Sequence, residues 1–124
     1  MLDTSVLIDV LRRRRQRREA LEGLVIAQHS LFTTALNVAE LYAGMRPGEE
    51  RQTEALLAGL ECLDVAGSAA RLAGALKNRW ARRGRTLALV DALIAATAIE
   101  QNCALLTDNH KHFPMPEVRM YPLP

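Results

Sequence analysis

Four carboxylates stand where their neighbours make a carboxylate costly. Asp3 follows the apolar Met1-Leu2, and Glu40 is the only charged residue between Phe32 and Met45. Asp91 interrupts the apolar run Leu89 to Ile94, and Asp108 follows Ala104-Leu105-Leu106-Thr107. A buried charge without a partner costs several kcal/mol. Carboxylates gathered at one spot repel each other unless a cation neutralises them. All-oxygen clusters select hard ions such as Mg²⁺ or Mn²⁺ over zinc, which prefers His and Cys. An ion held this way acidifies its bound water and stabilises charge building on a phosphate. The chemistry that follows is hydrolysis of a phosphodiester.

Each acid also has a plainer use. Asp3 is suited to cap the helix that follows it. Glu40 falls off the apolar stripe Val38, Leu41, Tyr42 and Met45, as an ordinary surface glutamate does, although Ala43 and Gly44 leave room for a cation or phosphate beside it. Asp91 sits at a helix start, where the dipole favours it, but that helix reads as buried and its charge needs a partner. Asp108 is suited to a turn. The four together are harder to dismiss than any one.

What positions them is an alternation of short apolar strands and longer helices. Met1-Leu2-Asp3 reads as the end of a buried strand, with Thr4 and Ser5 as cap-like residues before a helix through Leu11. A second helix runs from the arginine cluster to about His29. Leu31 to Thr33 is a brief strand, and Thr34 caps a helix from Ala35 to about Met45. Another helix spans Glu49 to Ala58, and Leu60 to Val65 is a strand. Ala69, Leu72, Ala73, Leu76 and Trp80 mark an amphipathic helix ended by Gly84. Leu87 to Glu100 is apolar nearly all round, as a buried helix is. Ala104 to Thr107 and Val118 to Tyr121 supply further strands. This alternation predicts parallel pairing and an α/β layer fold. Chemistry in such sheets gathers beyond the carboxyl ends of the strands. Asp3 and Asp108 emerge from strand ends there, and Glu40 and Asp91 lie near the starts of helices at the same edge.

Composition bounds the rest. The 124 residues are 49% hydrophobic and 24% charged, which excludes a disordered chain and predicts one domain over 1–124. No apolar run reaches the roughly 20 residues of a membrane span, and no secretory signal opens the chain. Cys62 and Cys103 have no metal-like spacing and read as buried, reduced thiols of a cytoplasmic protein. Of the 16 basic residues 14 are Arg, bunched at Arg12 to Arg18 and Arg79 to Arg85. Arg suits phosphate contact, although a charge run is more often a solvated face.

The residues assembled above resemble PIN-domain ribonucleases, and specifically the VapC toxins of VapBC toxin–antitoxin modules. Met1 to Asp9 is close to the family's N-terminal signature, whose first Asp is a metal ligand. Asn37-Val38-Ala39-Glu40-Leu41-Tyr42-Ala43-Gly44 resembles the second motif, centred on the Glu. Asp91 to Ala98 resembles the third. Leu105-Leu106-Thr107-Asp108-Asn109 with Phe113 resembles the fourth. The first three acids lie 37 and 51 positions apart (3 to 40, 40 to 91), as in the family. At the fourth motif the family commonly has its acid or amide two positions after the Thr, which is Asn109, so either Asn109 fills the place or Asp108 reaches in beside it. Near Phe113, where the family often has an acid, this chain has His112.

The resemblance implies a PIN-like three-layer α/β fold, a short central parallel sheet flanked by helices, and a Mg²⁺- or Mn²⁺-dependent endoribonuclease. Asp3 and Asp91 would bind the metal, Glu40 would act beside them or through water, and Asp108 or Asn109 would complete the site. It also implies a homodimer held inactive by a VapB-type antitoxin, whose tail enters the acidic site, often by offering Arg. The RNA substrate needs flanking basic surface, from Arg12 to Arg18 or from Arg79 to Arg85. The competing reading is a catalytically degenerate PIN domain that binds antitoxin or RNA without cutting. Two other readings fail. His110 and His112 lack the companion ligands of a zinc site, and Ser5 stands where a dehalogenase-type phosphatase needs a second Asp. With 4% aromatics there is little for base stacking.

Overall fold

Neighbouring residues of each short strand enter different cores, and this divides the molecule into three layers. The computed structural model describes residues 1–12 and 14–124, so position 13 of the first arginine run lies outside the described residues. Met1 and Leu105 enter one apolar core, while Leu2 and Leu106 enter the other. Phe32 and Leu31 divide the same way. That is the two-residue alternation of strands buried on both faces, as parallel strands are.

The described residues form α1 (Thr4–Leu11), α2 (Arg15–Ile26), β1 (Phe32–Thr34), α3 (Ala35–Ala43), α4 (Glu50–Ala58), β2 (Glu61–Leu63), α5 (Gly67–Ala81) and α6 (Leu89–Glu100), followed by one 3₁₀ turn at His110–His112. Strands β1 and β2 pair in parallel, Thr33 opposite Cys62. The sheet continues past β1 by single contacts. Leu2 N–H donates to the Phe32 carbonyl at 2.7 Å, and parallel bridges join Leu2 to Leu106 and Leu105 to Met120. Helices α5 and α6 cover one face, with Ala69, Ala73 and Leu76 against Ala92, Ala95 and Ala96. Val6, Leu7 and Val10 of α1, Leu21 of α2 and Leu41 of α3 cover the other. The expected α/β architecture is therefore present.

Several boundaries differ from expectation. The segments 104–107 and 118–121 contribute bridges instead of full strands. Past Leu106 the polar groups turn to side-chain partners, and Pro116 and Pro122 limit pairing on the outer segment because proline has no N–H to give. Helix α2 stops at Ile26, before a left-handed Gln28 (φ 64°). Helix α3 ends at Ala43, with Gly44 as its C-cap. Gly84 (φ +79°) closes the turn after α5, its N–H bonded to the Ala81 carbonyl at 2.9 Å. Cys62 and Cys103 are both free, but Cys62 is exposed and Cys103 only partly covered, which corrects their reading as buried thiols. Cys62 lies on β2, an outer strand of the sheet. No helix among the described residues is long and apolar enough to cross a membrane.

The small side chains of α6 let it lie close to α5. Ala95 has no exposed surface, and a larger group there forces neighbours off their rotamers. Ala95→Leu is expected to lower stability by about 1–3 kcal/mol, read as a shifted urea midpoint with an unchanged slope.

Candidate active site

Asp3 occupies the N-cap position of α1, yet its side chain makes no capping hydrogen bond. Its carboxylate is held from two other elements instead. Thr107 Oγ1 donates to Oδ2 at 2.6 Å, and Asn37 Nδ2 donates to Oδ1 at 3.1 Å. The capping reading of Asp3 is thus replaced by a buried carboxylate, 4% exposed, gripped at both oxygens. Four lone-pair sites on a carboxylate leave room for a further partner.

Asn37 is aimed by the cap of α3. Thr34 Oγ1 accepts from Asn37 N–H, while Asn37 Oδ1 accepts from Thr34 Oγ1 at 2.7 Å and Thr34 N–H at 3.3 Å. With its oxygen committed to the cap, the amide presents Nδ2 outward to Asp3 and to Thr4 Oγ1, 3.1 Å away. Thr4 in turn donates to Glu40 Oε1 at 2.9 Å. The inward face of α3 is therefore Asn37 and Leu41, and Tyr42, expected on the buried stripe, is 46% exposed. Thr4, expected as a cap-like residue, is the first residue of α1 with its hydroxyl spent on Glu40.

Asp91 lies in the first turn of α6. That turn is less buried than expected, with Leu89 54% and Val90 36% exposed, whereas Ala92 and Ile94 to Ala98 are covered. Burial pushes the Asp91 carboxyl above the ordinary carboxylate range. His112 pulls it back, and the charges of Asp3 and Glu40 push it up again. Asp3, Glu40 and Asp91 thus lie within electrostatic reach of one another. His112 Nδ1 stands 3.3 Å from Asp91 Oδ2 and is the partner that a carboxylate in this helix requires.

The linkage has a definite sign. Between the ordinary value and the raised one, the folded chain keeps a proton on Asp91 that the unfolded chain has lost. Stability contributed there falls as pH rises through that window, and above it the charged carboxylate is a constant burden on the metal-free fold. Asp91→Asn removes the burden. In a chelator at pH 7.5 the variant is expected to melt above the parent, and the gap should close as pH falls below the ordinary carboxylate range.

Asp108 and Asn109 are placed differently from the other three. Asp108 Oδ1 accepts from Arg17 Nη2, and its N–H donates to Ser5 Oγ at 3.2 Å. Asn109 is exposed, and its N–H donates to Thr107 Oγ1 at 3.0 Å. The groups that grip Asp3 and Glu40 (Thr4, Asn37 and Thr107) escaped the sequence reading as site residues. The one available signal was Asn37 three residues after the cap Thr34, the spacing of a capping box.

Among the described residues no three His, Cys, Asp or Glu groups are spaced to hold a metal ion by themselves. This does not conflict with the donor set of Mg²⁺, which keeps several waters and takes one or two carboxylates. Hard oxygen donors and a carboxyl whose pKa is raised by burial and by its like-charged neighbours fit such an ion.

A sequence profile of the PIN domain matches residues 1–116. Ribonuclease VapC19 of Mycobacterium tuberculosis is 35% identical over 115 residues, spanning 93% of this chain and 92% of that protein. Ribonuclease VapC10 of the same organism is 38% identical over 117 residues, spanning 93% and 86%. In structure, VapBC2 of Rickettsia felis, bound to a promoter DNA fragment, superposes with a TM-score of 0.88 at 24% identity over 100% of this chain and 98% of that one. A toxin–antitoxin complex from Klebsiella pneumoniae gives 0.76 at 28% identity over 94% and 92%. With its acidic edge, its sheet order and these relatives in agreement, the chain belongs to the PIN-domain family.

Proposed function

We propose that this chain is the toxin of a type II toxin–antitoxin module and an endoribonuclease that hydrolyses RNA phosphodiester bonds at the Asp3–Glu40–Asp91 edge. The observation that carries the reading is that the charges of Asp3 and Glu40, from two other elements, reach Asp91 and add to burial in raising its pKa. The relatives named as ribonucleases support the reaction class. Asp3 and Asp91 are the residues to hold Mg²⁺ or Mn²⁺. The bound ion would supply an acidified water and neutralise charge on the phosphate. Asn37 and Thr107 fix the Asp3 carboxylate so that its free lone pairs face the site. Glu40, steadied by Thr4, is the group to accept a proton from water at the open side. Asn109 is the residue of the fourth motif left free to meet substrate, since Asp108 is engaged by Arg17.

Basic surface for the RNA comes from the second arginine cluster. In the first cluster Arg14 pairs with Asp9, Arg15 with Glu19, and Arg17 is buried. In the second, Arg79 pairs with Glu117, while Arg85 donates to the Lys111 carbonyl, which brings its cluster beside His112 and Asp91. Arg82→Glu with Arg85→Glu is expected to weaken RNA binding and to flatten its salt dependence by about 1–2 in log–log slope. Filter binding across a salt series reads both.

The partner we assign is a VapB-type antitoxin, supported by structural neighbours that are toxin–antitoxin complexes. A groove of about 990 Å³ runs between α2 and α4, lined by Val10, Leu21, Val25, Ile26, Leu56 and Leu60. Its apolar floor suits the apolar face of an amphipathic helix, with Arg18 at the rim to meet an acidic residue. Exposed Tyr42, Leu89 and Val90 near the site suit the second copy of a homodimer. The setting is the cytoplasm, and 1–124 acts as one domain. A PIN domain without catalysis is not favoured, because the relatives matched over most of this chain are named ribonucleases.

The test is direct. Purified protein should cut structured RNA in Mg²⁺ or Mn²⁺, leaving 5′-phosphate and 3′-hydroxyl ends, and should stop in EDTA. Cutting that persists in EDTA overturns the metal mechanism, and RNA left intact in Mg²⁺ and Mn²⁺ overturns the enzyme reading.

A further inference from the structure

Among the described residues of the first arginine run, Arg17 is the most deeply covered cation, at 9% exposure, and it joins three elements. From α2 its Nε faces Asp9 Oδ2 of α1 at 3.7 Å, while its Nη2 donates to Asp108 in the loop after Leu106. Arg14 takes the other Asp9 oxygen at 3.2 Å. Two buried atoms of this cluster, Asp9 Oδ2 and Arg17 Nη1, have no hydrogen-bond partner. Holding α2 on α1 does not account for such a group, since an apolar residue does that at lower cost. The bond to Asp108 does account for it.

Asp108 is fixed at both ends. Arg17 holds its carboxylate, and Ser5 Oγ accepts its N–H. The residue before it is Thr107, whose hydroxyl stands 2.6 Å from Asp3 Oδ2 and 3.5 Å from Ser5 Oγ. Fixing Asp108 therefore fixes the Thr107 hydroxyl against the buried Asp3 carboxylate. We infer that Arg17 and Asp108 are positioning residues: they clamp the 107–109 loop so that Thr107 orients Asp3 for metal binding, and Asp108 is not itself a metal ligand. The inference deepens the proposed function and rests on it for the role of Asp3. Groups that orient a metal ligand are commonly worth about 10–100-fold in metal affinity or activity.

The experiment uses the full chain and Mn²⁺ alone as probe, titrated by electron paramagnetic resonance, with RNA cleavage and metal-free amide exchange measured alongside. Asp108→Ala and Arg17→Met are each expected to weaken Mn²⁺ binding about 10–100-fold. Both should lower kcat while KM for RNA stays within about twofold, and both should speed amide exchange over 107–109. Asp108→Asn keeps an oxygen that accepts from Arg17 and should recover Mn²⁺ affinity to within about threefold of the parent. Equal losses in Asp108→Asn and Asp108→Ala would overturn the inference by making the charge of Asp108 a direct ligand. Parental Mn²⁺ affinity in Asp108→Ala would overturn it as well, and because Asp108 is exposed this variant decides the matter even where Arg17→Met does not fold. A parent that neither binds Mn²⁺ nor cuts RNA defeats the proposed function separately. The clamp is then judged by amide exchange, and unchanged exchange over 107–109 would overturn it.

Discussion

Asp91→Asn is expected to lower Mg²⁺-dependent RNA cleavage by about a thousandfold, and Asp3→Asn by at least as much. Metal stabilisation of a phosphoryl transition state is worth several kcal/mol, and each 1.36 kcal/mol is about tenfold in rate. An amide keeps the carboxylate's shape and removes the charge that holds the ion. Asp91→Asn is the cleaner of the two, because it removes a partly buried charge that burial and its like-charged neighbours disfavour, and its melting curve in chelator separates inactivity from unfolding. Asp3→Asn replaces one acceptor by an NH₂ group facing Thr107 or Asn37, both of which already donate there. It therefore costs stability as well as rate. Single-turnover cleavage with saturating protein reads the chemical step directly. A rate within tenfold of the parent for folded Asp91→Asn would remove this carboxylate from the mechanism.

The second large effect concerns inhibition. Val25 is 56% and Ile26 81% exposed at the end of α2, beside the apolar groove. Apolar anchors at the centre of such an interface are commonly worth about 2 kcal/mol or more each. Val25→Glu with Ile26→Glu is thus expected to weaken antitoxin binding at least about a hundredfold. Both side chains already face water, so the variant should keep its melting temperature. Isothermal titration with the antitoxin is the measurement. Unchanged affinity would move the docking site away from α2.

The difference between what was legible in the sequence and what was not follows from the range of the forces. Asp3, Glu40 and Asp91 were legible because a charge inside an apolar run is a local contradiction that needs only neighbours to see. The cap at Thr34 and the turn at Gly84 were legible for the same reason. The grip on Asp3 was not, since Asn37 and Thr107 lie 34 and 104 positions from it. Nor was the use of Asp108, settled by an arginine 91 positions away. The arginine run reads as a solvated face by composition, yet Arg17 shares one side of α2 with Leu21, four residues on. Its aliphatic stem packs inward while two aspartates neutralise the head. The brevity of the outer strands was hidden too, because pairing at Leu105 and Met120 depends on which partners the fold offers.

The central claim is that Asp3 and Asp91 share one hard divalent cation. Crystals soaked in Mn²⁺ and measured near the manganese absorption edge test it most directly. The account predicts an anomalous peak bonded to oxygens of both Asp3 and Asp91, with waters completing its shell and Asp108 still on Arg17. A peak elsewhere, or Asp3 and Asp91 directed to different sides of the molecule with Mn²⁺ bound, would contradict it.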